Sequence, residues 1–275
     1  GPVLSKRAYT SDAKPINATA IQVLIGVCVL WSITFSIHGL TPIYTISINH
    51  VWPFIFGGIV GSGIARYSLY WGIDNIGASI TAAVAAADPV FGVIIAAIAL
   101  AEIPTPIQVI GVMLAMTGVV IVSLSDGGNR SGWKTRLIAI PVLAAGFYGA
   151  AAVLRRYGFG IADTPVFFAV AVSETAALGA VVCAIIIKFR GCFNDMPLNS
   201  YGYLLGSGLS YTLGTVSIFA SLNAGPVVIG STLGSTAALI NVVIVSIFLQ
   251  DIEKVPIKTV AGTAIGVLGM GLIAI

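Results

Sequence analysis

The sequence predicts an all-α membrane protein, a helical bundle of about nine transmembrane helices. Three features carry that prediction: very little charge, a succession of apolar runs about as long as a bilayer is thick, and an offset repeat whose unit holds an odd number of helices. Of the 275 residues, 57% are hydrophobic and only 8% are charged, against roughly 25% charged in soluble domains. A soluble fold of this size cannot cover its surface with so few charges, whereas lipid removes the need for them. The net charge of +3 is small, and the basic residues are scattered through short loops instead of sharing one face. That argues against nucleic acid as a partner.

Apolar runs predict helices near 17–37, 51–71, 76–100, 106–125, 135–155, 165–188, 199–222, 226–249 and 256–275. Each comes close to the ~20 residues that cross a hydrocarbon core about 30 Å thick. The runs are unbroken and do not alternate apolar with polar residues, which favours helices over the strands of a barrel. Turn chemistry marks the breaks at His38–Pro42, Gly72–Asn75, Glu102–Pro106, Ser125–Gly132 and Asn223–Pro226. The 32 glycines fall largely inside the runs. In a bilayer, small residues let helix backbones approach closely, and Gly58/Ser62, Ala82/Ala86, Gly111/Ala115, Gly230/Gly234 and Gly262/Gly266 have that spacing.

The two halves match at an offset of 150. Val3-Leu4, followed by Lys6-Arg7 and Pro15, corresponds to Val153-Leu154, Arg155-Arg156 and Pro165; Gly58 corresponds to Gly208, and Pro106-Ile107 to Pro256-Ile257. The second unit, 127–275, then holds five helices. The first, 1–126, holds four, because Gly1–Leu4 aligns with the end of helix 135–155. The expectation is a ten-helix design whose first helix is absent from this sequence. An odd number of helices per unit turns the second unit upside down. Inverted repeats place a binding site near the midplane between the halves, with alternating access by rocking. Lys6, Arg7, Lys14, Arg130, Lys134, Arg136, Lys188, Arg190, Lys254 and Lys258 fall in loops on one side, and Arg155 and Arg156 on the other. The positive-inside rule makes the first side cytoplasmic.

The stretch from Tyr70 to Ser125 resembles the second part of an EamA domain of the drug/metabolite transporter superfamily. The pattern is a turn at Asp74, Asn75, Gly77 and Ala78, then a small-residue helix with a central proline (Ala85-Ala86-Ala87-Asp88-Pro89-Val90-Phe91). Leu100 and Glu102 follow, then Pro106, Gln108, Gly111 and Gly118; Glu253, Pro256, Gly262 and Gly269 repeat it more loosely. The resemblance implies a ten-helix secondary transporter of inverted repeats, often an exporter of amino acids or other metabolites.

Ionisable residues within membrane helices are costly and usually face a cavity or a partner. Arg66, Asp88 and Glu174 fall in predicted helices, with Asp74 at an edge. Asp88 precedes Pro89, which removes a backbone donor and opens the helix. A carboxylate there can bind a cation, a proton or an amine, or pair with Arg66. Glu174 is the best proton-relay candidate. Arg66 either holds a substrate carboxylate or snorkels to the interface. Ser210, Tyr211 and Thr212 cluster on one helix, and Ser231, Thr232, Ser235, Thr236 and Asn241 on the next. Ser231, Ser235 and the neighbouring Thr232 and Thr236 recur at i and i+4 and form a stripe that either lines a cavity or bonds its own backbone or a neighbouring helix. Trp31, Tyr70, Trp71 and Tyr148 are candidate walls of the pocket, and Trp52 and Trp133 candidate interface anchors.

Cys28, Cys183 and Cys192 have no CxxC spacing, so neither a disulfide framework nor a zinc site is expected. No P-loop, HExxH or Gly-x-Ser-x-Gly is present, and no cofactor is expected. The favoured reading is a non-enzymatic carrier of a small solute, driven by protons or by the solute's own gradient, a monomer or weak homodimer in the cell membrane. A channel would need a continuous polar path, and a lipid-modifying enzyme would need convergent His, Asp or Ser groups.

Overall fold

A computed structural model describes residues 15–75, 81, 84–85, 87–125, 137, 139–187, 198–230 and 257–273. Among these residues every regular element is helical. The elements are α1 (Pro15–His38), the short α2 (Thr41–Thr45), α3 (Ile48–Asn75), α4 (Asp88–Ala99), α5 (Pro106–Ser125), α6 (Ala139–Ile161), α7 (Val166–Ile187), α8 (Leu198–Ala224) and α9 (Ile257–Ile273). Three of the described stretches, Thr19–His38, Ile48–Asn75 and Val166–Ile187, are by themselves long and apolar enough to cross a membrane. Large apolar side chains such as Ile98, Ile187 and Leu213 point outward, as lipid permits and water does not.

Two boundaries differ from the sequence reading, and a third helix lies mostly outside the described residues. The expected break at Gly72–Asn75 is helix, closed by the Asn75 amide donating to the Trp71 carbonyl at 2.8 Å. The helix expected over 135–155 runs instead over Ala139–Ile161, which moves Arg155 and Arg156 from a loop into its body. The helix expected over 226–249 is described only over 227–230. Between α4 and α5, Ala101 adopts a left-handed backbone (φ 55°) and turns the chain. The next helix opens with a reciprocal cap: the Thr105 N–H donates to Gln108 Oε1 at 3.0 Å, and the Gln108 N–H to Thr105 Oγ1 at 3.3 Å. Pro106, without an N–H to lose, occupies the first turn. The Pro-x-Gln pattern is therefore a helix start.

The relation between the halves is visible in the packing. Ile16 of α1 lies with Val181 and Ile185 of α7, whereas Trp31, fifteen residues on, meets Phe168 and Thr175. Thus α1 and α7, which correspond at the 150 offset, run antiparallel. So do α5 and α9: Gly111 faces Gly269 and Ile273, and Gly118 faces Gly262 and Gly266. The crossed pairs match as well. Gly58 of α3 abuts Ser173 of α7, and Gly208 of α8 abuts Gln22 and Ile25 of α1. Gly58 and Gly208 are themselves 150 apart.

Close approach explains these glycines. A Cβ at Gly58 would land on the Ser173 carbonyl, whereas one at Gly214 meets nothing within 4 Å. Gly58→Ala is expected to destabilise the protein by about 1–3 kcal/mol, since backbone cannot yield as a side-chain tip can. Gly214→Ala should leave stability unchanged or slightly higher. Thermal unfolding midpoints in detergent check this, and equal midpoints for the two variants would contradict the packing account.

Candidate functional site

The site begins with an irregularity in α3. Over Gly58–Ala65 the helix widens to a π-helical turn, in which the Arg66 N–H reaches back to the Gly61 carbonyl. Such turns often mark functional positions. Here Gly58, Gly61 and Gly63 leave the wide turn bare, so neighbouring helices close on its backbone. Ser62 and Arg66, one turn apart, both face α7.

Glu174 of α7 meets them. Arg66 donates two hydrogen bonds, Nη1 to Oε2 at 3.2 Å and Nη2 to Oε1 at 3.1 Å, and the Ser62 hydroxyl donates to Oε1 at 2.6 Å. Arg66 is fully buried and Glu174 is 2% exposed. This is the fork-to-carboxylate geometry that makes an arginine pair directional. The Arg66 guanidinium also lies 3.7 Å over the Tyr211 ring of α8, a cation–π contact that strengthens when water is excluded. One pair thus joins α3 to α7 and rests on α8.

A second guanidinium completes the cluster. Arg155 of α6 donates through Nη2 to the Gly57 carbonyl at 3.1 Å and to Ser62 Oγ at 3.3 Å. Its guanidinium lies 4.6 Å from the Phe219 ring centroid. The side chain runs along the bare face made by Gly57 and Gly61, where any Cβ would crowd it. Among the described residues the buried centre therefore holds two arginines and one carboxylate. The expectation that Arg155 lies in a loop is corrected: the six further residues of α6 carry it inside the bundle.

The other expected site residues divide. Trp31 is beside the cluster, its indole donating to Thr175 Oγ1 at 2.9 Å. Tyr70 is buried one turn below Arg66 and donates to Gln22 Oε1, while Gln22 Nε2 donates to Ser207 at 2.6 Å. This second polar layer was not anticipated from Gln22 or Ser207. Tyr148 brings a buried hydroxyl to the Tyr211 side of the cluster. Thr212 is buried near Glu174, across Gly26, but its hydroxyl donates to the Gly208 carbonyl at 2.9 Å. Trp71 is not drawn into the cluster; its carbonyl serves Asn75. Asp88 does not pair with Arg66, whose carboxylate partner is Glu174. The Asp88 backbone carbonyl packs instead on Gly149, halfway along α6, and the following proline sits in the first turn of α4. Ser231, Ser235 and Asn241 lie outside the described residues.

One end of the bundle carries a separate polar clasp. Glu102, in the turn shaped by Ala101, accepts from Arg156 Nε at 3.0 Å and from the Val227 N–H at 2.9 Å. Arg156 Nη1 also donates to the Leu222 carbonyl at 3.2 Å. The clasp ties the α4–α5 turn to α6 and to the chain leaving α8. The cavity beside it, lined by Val93, Ala96, Ile103, Pro104, Gln108, Pro226 and Val228, holds about 120 Å³. Solute pockets are usually at least about 300 Å³, so this one is not the binding site. Among the described residues no three His, Cys, Asp or Glu side chains cluster to hold a metal.

Glu174→Gln leaves the buried Arg66 guanidinium without its carboxylate and is expected to cost about 3–5 kcal/mol. Adding Arg66→Met to Glu174→Gln removes that stranded guanidinium and should restore much of the loss. The check is a double-mutant comparison of unfolding midpoints. A double variant no better than Glu174→Gln alone would show that the pair is incidental.

Residues 1–124 match the model of the EamA-like transporter family. No curated protein matches the sequence. Among solved structures, one described only as the crystal structure of a protein superposes with a TM-score of 0.75 at 16% identity, covering 98% of this chain and 92% of that one. At that identity the likeness speaks for the fold alone. The part of the chain that is similar to the EamA-like transporter family is thus residues 1–124 of 275.

Proposed function

We propose that the protein is a secondary transporter of the cell membrane that carries a small polar or amphipathic metabolite, an amino acid or similar solute, as an exporter. Its units, 1–126 and 127–275, work as inverted halves that expose a central site alternately to the two sides. The observation that carries this reading is the buried cluster of Arg66, Glu174, Ser62 and Arg155, where α3 of the first unit meets α6 and α7 of the second. Fixed charge in a bilayer is costly and is retained where it meets a solute or an ion. Antiparallel packing of α1 on α7 and of α5 on α9 supports the inversion.

The Glu102 clasp closes one mouth. It lies at the end of the bundle reached by the C-terminal part of α6 and by the Asn223–Pro226 turn. The opposite end receives the start of α1, the end of α7 and the start of α9, where most loop lysines and arginines of the sequence fall. By the charge rule, that opposite end is cytoplasmic and the clasp is extracellular. The closed clasp over a packed centre fits alternating access better than an open pore.

Purified full-length chain in liposomes should show saturable uptake with counterflow for one or more solutes found by a thermal-shift screen. Unitary channel currents, or uptake that never saturates, would overturn the carrier. Glu102→Gln should weaken the clasp. The pair is about a quarter exposed on both side chains, so its worth is about 1 kcal/mol, a roughly fivefold shift toward the outward-open form. Labelling of a cysteine placed at Ser62 by an impermeant reagent from the clasp side reads that shift, and an unchanged labelling rate would remove the gate assignment.

A further inference from the structure

The charge count at the centre does not close, and the excess falls on one side chain. Arg66 takes both oxygens of Glu174. Arg155 is 6% exposed, yet among the described residues no carboxylate lies within ion-pair distance of it. Its recorded partners are one backbone carbonyl, one serine hydroxyl and the face of Phe219. Among the described residues its buried Nε–H meets no acceptor, although a guanidinium presents five donors and cannot shed its charge by losing a proton. Nor does the side chain snorkel to water. Gly57 and Gly61 make the groove that holds it: a Cβ at Gly61 would sit 2.8 Å from Nη2.

From this we infer that Arg155 is the anchor for a carboxylate on the transported solute. A cation built into the bilayer core, with donors unspent, is completed by an anion that comes and goes. A carboxylate matches the planar fork of an arginine. Glu174 is the resident counter-ion of Arg66, and Ser62 links the two guanidinium sites, donating to Glu174 and accepting from Arg155. The arriving carboxylate therefore brings the cluster to electrical balance, with two cations facing two anions. Carboxylate-bearing solutes are selected over their amides on charge alone. This inference rests on the carrier reading and names the solute class it takes.

The test uses the purified full-length chain in detergent. The probes are the proteinogenic amino acids and small aliphatic mono- and dicarboxylates, each beside its primary amide, with sodium chloride as a control. At least one acid should raise the unfolding midpoint, and its amide should bind at least tenfold more weakly. Arg155→Gln should lose at least tenfold in affinity for that acid, with Arg155→Lys intermediate. Equal binding of acid and amide, undiminished binding to Arg155→Gln, a chloride shift equal to that of the acids, or no response to any carboxylate would each overturn the assignment. Should Arg155→Gln not fold, the acid–amide comparison on the unaltered chain decides. Counterflow of an uncharged or cationic solute that survives Arg155→Gln would remove the anchor and leave the carrier standing. Absence of counterflow for every solute class would remove the carrier itself.

Discussion

The pairing of Glu174 with Arg66 inside the bundle sets the terms for the residues around it. Charge in hydrocarbon has to be met by charge or by several hydrogen bonds. The helices that carry these groups are therefore fixed in depth and rotation as well as in order. To bring Arg66 and Ser62 onto Glu174, α3 must lie close along α7, and the bare π-helical turn at Gly58–Ala65 permits that approach. Once Ser62 has donated to Glu174, its oxygen remains an acceptor for Arg155. Then α6 is held to the same point, and Gly57 and Gly61 are needed to receive its side chain.

Twofold order frames this centre without extending into it. The glycine contacts obey the 150-residue offset, with Gly58 on α7 and Gly208 on α1. The charged groups do not. Opposite Arg66 the second unit has Val216, and opposite Glu174 the first unit has Leu24. Packing thus follows the duplicated backbone, while the chemistry is concentrated on α3, α6 and α7. A symmetric scaffold needs matched small residues wherever backbones cross, and the charged pair is free of that requirement. The Glu102 clasp has the same character, being built from one unit's turn and the other unit's helices.

Legibility differed between scaffold and site for a physical reason. Apolar length and turn residues are local properties, so most helices are where the runs place them. Arg66 and Glu174 stood out because ionisable residues in long apolar runs are conspicuous. Arg155 did not. It neighbours Arg156 near the end of an apolar stretch, and a double arginine there reads as a loop beside the interface. Its burial follows from six more residues of helix, through Ile161. Gln22 and Ser207 were overlooked because single uncharged polar residues in a membrane helix carry little signal until their partners are known.

By itself the amino-acid sequence determined the apolar solvent and most of the described helices, since both follow from composition and run length along the chain. Only the tertiary structure decided which charges meet. Arg66 pairs with a carboxylate 108 residues away, and among the described residues Arg155 is left beside them without one. Such partnerships depend on helix rotation and on close backbone contact at a few glycines, quantities that no local pattern encodes.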